Sequence, residues 1–312
     1  MRIASITVAF NPDPARLAQQ LAAVRNQVDE IIIVDNASAP SLANSLDCPE
    51  IVAVLGNAPH IEVVELHENG GIACGFNVGI ELARSRGAGF VLLLDHDSIP
   101  AADMVSKLVA GYIRAIGESG ATSVAAVGPQ IIDSRDAHEF PFIRLGWLRN
   151  QHIRCVDGQE SLVACDLLIS SGTLIPIDAF DKIGRFDESL FIDNVDLEWC
   201  CRARRGQFSL FGVCEAELDH RLGDQRRVVL SQLFIVVHSP LRMYYQTRNR
   251  ILLYRRGYVP LKWKLKDMLR MAARFVAVIL FVAPRLDYLR MTVLAIRDGV
   301  ANRGGRLRDR AG

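Results

Sequence analysis

The chain is predicted to be an α/β protein built on a Rossmann-like, mainly parallel β-sheet with helices on both faces. Two observations lead to this prediction. Apolar, β-branched runs alternate with segments of helical spacing, an order typical of parallel sheets with crossover helices. Polar clusters follow the ends of the predicted strands, where ligands bind in sheets of this kind.

The first half of the predicted sheet comes from four apolar runs that end in polar or turn-forming residues. Helical spacing of Leu17, Leu21 and Val24 follows the first run, and a glycine-containing helix follows the third. The predicted strands are Ile3–Phe10, Glu30–Val34, Ile61–Leu66 and Phe90–Leu94, and the predicted helices are Ala15–Val28 and Ile72–Ser85.

The pattern then continues less regularly as far as residue 225. It predicts a helix from Pro100 to about Ile116, strands at Ser123–Val127 and Asp166–Thr173, and helices at Asp178–Ile183 and Asp193–Arg204. From Leu222 onwards the sequence is helical in spacing, basic and apolar. We therefore predict an α/β domain over residues 1–225 and a helical, basic region over residues 226–312.

Charge divides the chain at almost the same point. Residues 1–220 contain 16 Lys and Arg against 30 Asp and Glu, whereas residues 221–312 contain 20 against 5. The basic end either packs on the acidic domain or binds an anionic surface, which would be a membrane or a nucleic acid. Because its basic residues flank the apolar run Phe275–Ala283, a membrane is favoured and no nucleic-acid partner is predicted. That run has nine residues and is too short to span a bilayer, so attachment is predicted to be peripheral.

Cysteine usage and the N-terminal sequence indicate the compartment. The seven cysteines are odd in number and lack CxxC spacing, which argues against a disulfide framework or a zinc ribbon and favours a reducing cytoplasm. Cys200 and Cys201 fit small buried hydrophobes. Met1 leads directly into a strand without the apolar stretch of a signal peptide. The predicted location is cytoplasmic, at the inner face of the cell membrane.

Asp95 and Asp97 stand where the fourth predicted strand enters a loop. A turn can direct both carboxylates at one cation, and Mg²⁺ or Mn²⁺ takes one or two carboxylates and completes its shell with substrate phosphates. Such a cation neutralises charge on a departing diphosphate. The alternative is that an aspartate caps the following helix, with Ser98 assisting. The position beside other polar strand ends favours the metal site.

Two further polar segments suit a nucleotide. Asp35 and Asn36 follow the second strand, where a carboxylate can accept from the imide N–H of a base, although both residues are equally suited to a plain turn. The segment Asn69–Gly79 contains four glycines, which allow close approach of backbone to a ligand or of helix to sheet.

The segment Phe191–Trp199 concentrates three acids. Asp193 and Asp196 are three residues apart and share one face of the predicted helix, where the helix dipole alone would also favour them. A reaction that transfers a group to a hydroxyl oxygen needs a carboxylate that takes the hydroxyl proton, and this segment is where such a base is expected. His220 is either a third metal ligand or a structural histidine.

Taken together, these motifs resemble family 2 glycosyltransferases of GT-A fold, and specifically bacterial rhamnosyltransferases. The resembling segments occur in the expected order and are distributed over residues 8–249, which leaves only the basic end without a match. They are Val8–Pro12 (VAFNP), Val34–Ser38 (VDNAS), Asn69–Gly79, Leu92–Ser98 (LLLDHDS), Ile169–Gly172 (ISSG), Gly184–Trp199, Asp219–Gly223 and Tyr244–Asn249 (YYQTRN).

The resemblance implies roles for the matching residues. The metal would be Mg²⁺ or Mn²⁺, bound by Asp97 with support from Asp95 and with His220 completing the shell. Asp35 would contact the pyrimidine base, and Asp95 the ribose. The other residues of the donor site would be Asn11, Asn36, Gly71, Asn77, His96 and Arg248. The sugar and acceptor pocket would include Ser171, Gly172 and Trp199.

One position departs from the family pattern. Many relatives carry Glu-Asp where this chain has Asp193-Asn194, and the second acid is their base. An asparagine cannot accept a proton at working pH, so the base would be Asp193 or Asp196. Asp193 is favoured because it adjoins the altered position. Arg248 is a candidate partner for the departing diphosphate.

The resemblance implies inverting transfer of a deoxyhexose, L-rhamnose from dTDP-L-rhamnose, to a saccharide or lipid-linked acceptor in cell-surface polysaccharide or glycolipid synthesis. The alternative donors are UDP-galactofuranose and a UDP-hexose, because a base contact at Asp35 does not separate thymine from uracil. A different class of protein, a non-catalytic nucleotide-binding or membrane-scaffold protein, is the third hypothesis, since Asn194 replaces the usual base.

Overall fold

The computed structural model describes residues 1–42, 61–118, 123–136, 138–147, 149–155, 161–220, 225–230 and 233–307. The strands are β1 (Ile3–Ala9), β2 (Glu30–Asp35), β3 (Ile61–Glu65), β4 (Phe90–Asp95), β5 (Ile99–Pro100), β6 (Val124–Asp133), β7 (His138–Phe140), β8 (Phe142–Arg144), β9 (Gln151–Ile153), β10 (Leu162–Cys165), β11 (Leu174–Pro176), β12 (Ser209–Asp219), β13 (Gln225–Leu230) and β14 (Leu233–Val237). The α-helices are α1 (Pro14–Val24), α2 (Ile72–Ser85), α3 (Met104–Glu118), α4 (Ile177–Ile183), α5 (Val195–Arg205), α6 (Pro240–Arg255), α7 (Leu261–Phe281) and α8 (Arg285–Val300).

The central sheet has the strand order β10-β12-β6-β11-β4-β1-β2-β3, which confirms the predicted mainly parallel architecture. Strands β3, β2, β1 and β4 run parallel to one another, and β6 runs parallel to β12. Strand β11 lies between β4 and β6 and is antiparallel to both. The register places Val8 of β1 opposite Val34 of β2 and Asp95 of β4. The carboxyl ends of β1, β2 and β4 therefore meet at one edge of the sheet.

Both faces of the sheet are buried because successive strand residues point to opposite sides. In β2, Ile31 and Ile33 join the core formed with α1 and α3, while Ile32 and Val34 join the core formed with α2, α4 and α5. This explains why the strands are continuous apolar runs and not alternating ones.

Two glycines allow α2 to lie close to the sheet. A Cβ atom added at Gly75 would lie 2.6 Å from Val8 Cγ1, and one added at Gly79 would lie 2.4 Å from Ile6 Cγ2. Real Cβ atoms do not approach carbon atoms so closely, so any side chain here would push the helix away from β1. The glycines predicted to serve close packing therefore serve it against β1.

Two predicted elements differ from the structure near the acidic segment. Residues Asp166–Thr173 form a loop between β10 and β11, because a turn at Ser170–Thr173 and the left-handed φ of 78° at Gly172 interrupt extended backbone. Helix α5 begins at Val195 and not at Asp193, since Asp193 and Asn194 have φ values of 63° and 64°. Asp193 and Asp196 therefore do not share a helix face.

The C-terminal region begins with strands where helix was predicted. Strands β13 and β14 form an antiparallel pair before α6 begins at Pro240. Their sequences contain Val228-Val229 and Ile235-Val236-Val237, and β-branched residues favour strand over helix. None of the helices among the described residues is long and apolar enough to cross a membrane.

The sequence argued against a disulfide framework, but the structure contains a disulfide bond between Cys155 and Cys214. Their Cα atoms are 5.5 Å apart, and the bond ties the segment after β9 to β12. Odd cysteine number and absent CxxC spacing do not exclude a single pair, because the pairing joins residues 59 positions apart in sequence. Cys200 and Cys201 are buried and unpaired, which confirms their prediction as small core residues.

Candidate active site

Three polar side chains meet at the carboxyl edge of the sheet. Asp95 is the last residue of β4, Asp97 lies in the turn that follows it, and His220 comes directly after β12. One ligand atom from each of the three lies within 4.8 Å of the others. We call this group the Asp–Asp–His cluster.

The imidazole of His220 lies between the two carboxylates. Its Nε2 is 3.7 Å from Asp95 Oδ2, and its Nδ1 is 3.6 Å from Asp97 Oδ1. Two carboxylates and one imidazole form a donor set that suits a divalent cation, with room for substrate phosphates to complete its shell. The residues present therefore fit the Mg²⁺ or Mn²⁺ predicted from the sequence.

Neighbouring residues fix the orientation of the cluster. The Ser171 hydroxyl donates to Asp95 Oδ2 at 2.5 Å, and Ser98 Oγ lies 2.8 Å from His220 Nδ1. From α1, the Gln20 amide donates to the Asp95 carbonyl at 2.6 Å and Arg16 donates to the Asp97 carbonyl at 3.1 Å. Such supporting contacts hold metal ligands in place before a cation binds.

The cluster opens into a cavity of about 630 Å³, which we call the first cavity. Most of the residues that line it are polar or charged, and most of the others are apolar. The residues that line it include Phe10, Asn36, Asn69, Gly71, Asp95, His96, Asp97, Arg135, Ser171, Phe191, Asp193, Asn194, Asp196, His220 and Arg242. Its size falls in the range of small-molecule sites.

An unusual turn, residues 191–194, forms part of the wall of the first cavity. Phe191, Asp193 and Asn194 all have positive φ values between 63° and 64°, a conformation that non-glycine residues adopt at a cost. The Asn249 side-chain amide holds this backbone by donating to the carbonyls of Leu190, Ile192 and Asp193 at 2.7–2.9 Å. Helix α6 therefore maintains the strained turn.

Asp193 and Asp196 occupy different electrostatic environments. The Asp193 carboxylate accepts two hydrogen bonds from Arg242, at 3.2 and 3.3 Å, in a bidentate ion pair. Asp196 accepts only a backbone bond, from Leu197 N at 2.7 Å, among the hydrogen bonds described for its carboxylate. Burial, with smaller contributions from the charges of Asp193 and Asp95, raises the pKa of Asp196 to about 6.

Asp35, Asn36 and Asn11 organise the loops at the edge of the first cavity. Asp35 is 1% exposed, and its two carboxylate oxygens accept from Ser38 N and Leu42 N at 2.9 and 2.7 Å. Asn36 lines the cavity and accepts from Gly70 N. The exposed Asn11 accepts from Ala39 N and does not line the cavity. The turn chemistry considered for Asp35 is therefore present, and its base contact stays a prediction.

Four other predicted residues lie away from the first cavity. The buried Asn77 side chain bonds to Phe186 and Glu188. Trp199 is in the core and donates to the Gly184 carbonyl, while Gly172 forms the turn before β11. Arg248 is 1% exposed and donates to the carbonyls of Ser189, Leu190 and Gly305. These four residues therefore stabilise the fold. Their positions within sequence motifs do not distinguish this role from ligand binding.

Sequence reasoning missed two arginines that line the first cavity. Arg135 is held by a bidentate pair with Asp133 at 2.8 and 2.6 Å, and Arg242 pairs with Asp193. Arg135 follows β6, in a segment for which no site residue was predicted, and Arg242 lies in the first turn of the helix whose later residue Arg248 was chosen instead. No spacing signal in the sequence separates Arg242 from Arg248.

Known proteins with similar sequences indicate the class of enzyme to which this site belongs. Residues 5–139 match the family model described as Glycosyl transferase family 2. Over 300 residues the chain is 28% identical to the dTDP-rhamnosyl transferase RfbF of Shigella flexneri, and the match covers 96% of this chain and 95% of that protein. The sequence similarity thus extends well beyond the segment matched by the family model.

Solved structures show the same fold at lower sequence identity. S. aureus TarS 1-349 in complex with UDP-GlcNAc has a TM-score of 0.53 and 14% identity, with 96% of this chain and 81% of that chain covered. GalNAc-T7 with UDP, GalNAc and Mn²⁺ has a TM-score of 0.55 and 14% identity, covering 70% of this chain but only 44% of that longer chain. The match of residues 5–139, the relative and the shared fold together indicate a glycosyltransferase that is similar to family 2 enzymes and to a bacterial rhamnosyltransferase.

Proposed function

We propose that the enzyme transfers L-rhamnose from dTDP-L-rhamnose, with inversion, to a hydroxyl group of a saccharide or lipid-linked acceptor in cell-surface polysaccharide or glycolipid synthesis. The observation that carries this proposal is the Asp–Asp–His cluster at the wall of the first cavity. The name of the Shigella relative, which matches along nearly the whole chain, supports the choice of donor.

Asp95, Asp97 and His220 would hold Mn²⁺ or Mg²⁺ beside the donor diphosphate. The cation would supply a positive charge that stabilises the departing nucleoside diphosphate. Ser171 and Ser98 keep the Asp95 carboxylate and the His220 ring in position through their hydrogen bonds. Asn36, Asn69 and Gly71 provide polar groups farther along the same cavity, where the nucleoside would bind.

Asp196 is the better candidate for the base, although the sequence favoured Asp193. Both carboxylates line the first cavity, but Asp193 is engaged by the guanidinium of Arg242. An ion-paired carboxylate is a weak proton acceptor, because the neighbouring positive charge stabilises its charged form. The environment of Asp196 raises its pKa towards neutrality, so its carboxylate binds a proton more strongly than an ordinary aspartate does, as a general base near neutral pH requires.

Asp193 would then be a positioning residue and not the base. Its ion pair with Arg242 and its carbonyl bond to Asn249 connect the 191–194 turn to α6. Arg242 also lines the first cavity, so its guanidinium contributes to the same wall as the 191–194 turn. We propose that the pair shapes the wall against which the donor sugar lies.

We also propose that α7 and α8 bind the enzyme to an anionic membrane surface on its cytoplasmic side. Each helix exposes a stripe of large apolar residues at helical spacing, which together we call the exposed apolar face. Its members are Leu265, Leu269, Val276 and Leu280 of α7 and Leu286, Leu289, Val293, Ile296 and Val300 of α8. Exposed Arg270, Arg290 and Arg297 accompany them, and this combination suits the interface of an anionic bilayer.

A panel of nucleotide sugars tests the donor. The purified enzyme with Mn²⁺ is mixed with dTDP-L-rhamnose, UDP-galactofuranose, UDP-glucose or UDP-GlcNAc, and both thermal stabilisation and slow donor hydrolysis are measured. A true donor raises the unfolding temperature because it binds only the folded state. We expect dTDP-L-rhamnose to give the largest shift and the fastest hydrolysis. A larger response to a UDP-sugar would replace the donor, and no hydrolysis with any sugar would argue for a binding protein.

A further inference from the structure

A second cavity of about 400 Å³ lies next to the first. It is bounded by the second half of β6, by β7 and β8, by the loop between β10 and β11, and by the start of α5. Ten of the sixteen described residues that line it have apolar side chains, among them Ile131, Phe140, Phe142, Ile143 and Leu167. Asp196 is the one Asp, Glu, Lys or Arg side chain in that described lining.

The few polar groups of the second cavity are largely engaged by the protein. The Thr173 hydroxyl donates to the Ile169 carbonyl, and the Ser171 hydroxyl donates to Asp95. His152 is exposed and stands at the rim. A saccharide needs a polar partner for most of its hydroxyl groups when it is buried. The interior of this cavity therefore suits hydrocarbon better than sugar.

The two cavities share one wall, formed by Ile169, Ser171, Asn194 and Asp196. A molecule in the second cavity would present its near end to Asp196, while the cluster faces the same wall from the first cavity. The carboxylate proposed as the base thus stands at the junction of a polar, cation-binding cavity and an apolar one.

We propose that the second cavity receives an apolar part of the acceptor, so that the acceptor is an amphipathic molecule whose reacting hydroxyl group lies close to an alkyl or aryl group. This inference rests on the proposed glycosyl transfer, and it specifies the class of acceptor. In the transfer, the acceptor oxygen forms a bond to the anomeric carbon, the bond from that carbon to the diphosphate breaks, and the hydroxyl proton passes to Asp196.

Binding of two glycosides tests the proposal. Octyl β-D-glucoside, kept below its micelle concentration, and methyl β-D-glucoside differ only in the alkyl group, and calorimetry with the Mn²⁺- and dTDP-loaded enzyme measures each dissociation constant. Each methylene group that leaves water strengthens binding about fourfold. We expect the octyl glycoside to bind at least about 30-fold more tightly. Equal affinities would overturn the proposal.

Matched variants locate the bound alkyl group. Ile143→Asn places an amide in the second cavity, Ile153→Asn makes the same change at a half-buried residue of the adjacent strand β9 that lines neither cavity, and Leu269→Asn changes the exposed apolar face. We expect only Ile143→Asn to lower the octyl preference, by about tenfold or more. A preference that survives Ile143→Asn, or is lost in Leu269→Asn instead, would contradict the proposal.

Two further measurements separate failure of the acceptor proposal from misfolding of a variant and from failure of the proposed transfer. Thermal unfolding checks that each variant is folded. If Ile143→Asn is not folded, Ile143→Thr takes its place, which replaces the ethyl group on Cβ by a hydroxyl group and keeps the side chain β-branched. Donor hydrolysis without acceptor tests the proposed function separately. Hydrolysis with no octyl preference would reject the apolar acceptor alone, whereas no hydrolysis of any nucleotide sugar would reject the proposed transfer itself.

Discussion

The sheet edge and the C-terminal helices α6–α8 are both rich in charged residues, but they use them differently. At the sheet edge, ligand atoms of Asp95, Asp97 and His220 lie within 4.8 Å of one another at the wall of a cavity. In the C-terminal helices, buried Arg248 and Asn249 are bonded to the backbone of the segment before α5. Position at the ends of parallel strands, more than charge itself, distinguishes a reaction site from a supporting structure.

The comparison also shows how the two regions depend on each other. The sheet supplies the proposed metal ligands, and α6 holds the 191–194 turn of the same cavity through Asn249 and Arg242. Substitutions at the sheet edge are expected to remove chemistry, and substitutions in the helices to remove stability or membrane binding. Four predictions separate these effects.

The largest effect is expected for Asp97→Asn. Loss of this carboxylate weakens cation binding and removes charge compensation for the leaving diphosphate, so kcat/KM for donor hydrolysis should fall by about 10³-fold or more. Steady-state kinetics at saturating Mn²⁺ measure it. Asp103→Asn, at an exposed ion pair beside α3, is the matched control and should behave as wild type. If Asp97→Asn turned over at the wild-type rate, the sheet edge would not carry the chemistry that the comparison assigns to it.

The next effect separates the two acids. Asp196→Asn removes the proposed base and should lower kcat for transfer by about 10²–10⁴-fold while the KM for donor changes little. Asp193→Asn keeps an oxygen that can accept from Arg242 and should cost about tenfold or less. The reverse order of the two variants would make Asp193 the base. In the wild type, kcat should also fall as pH drops through about 6, because protonated Asp196 cannot accept a proton.

The third prediction concerns Arg248, a buried residue of the C-terminal helices. Arg248→Met leaves the carbonyls of Ser189, Leu190 and Gly305 without their guanidinium partner in a buried site, which should lower the free energy of unfolding by about 3 kcal/mol. Urea denaturation measures it. Arg255→Met, at an exposed helix end, is the control. If Arg248→Met instead left stability intact and weakened diphosphate binding, the role first predicted from the sequence would be correct.

The smallest effect concerns the membrane. The double variant Leu265→Gln and Leu269→Gln should reduce partition onto vesicles that contain anionic phosphatidylglycerol by about tenfold, because two exposed leucines no longer enter the interface. Vesicle sedimentation measures the partition, and Ile113→Gln on α3 is the control for an exposed apolar residue elsewhere. Partition equal to that of the wild type would leave the basic helices without the proposed role.

Much of the fold could be predicted because buried parallel strands have a strong sequence signal. Strands β1, β2 and β4 and helix α2 were located within one or two residues, since their apolar runs end at Asn, Asp or Gly. The segment Asp166–Thr173 and the strands β13 and β14 could not be predicted. Short apolar, β-branched stretches fit a strand, a buried loop or a helix equally well until their partners are known.

The candidate site was predictable where it depends on strand ends and not where it depends on packing. Asp95, Asp97 and His220 come together because β4 and β12 direct them to one edge. The burial of Asp196, the ion pair of Asp193 and the apolar second cavity depend on contacts between distant segments. Motif spacing does not encode those contacts, so the choice of base changed once they were visible.

Binding of Mn²⁺ in the presence of dTDP tests the central claim most directly. Electron paramagnetic resonance counts free Mn²⁺ during titration of the wild type and of Asp97→Asn, with Asp103→Asn as the control. The Asp–Asp–His cluster predicts one dTDP-dependent Mn²⁺ per chain in the wild type and the control, and at least about tenfold weaker binding in Asp97→Asn. Equal Mn²⁺ binding by all three proteins would contradict the assignment of the cluster as the metal site.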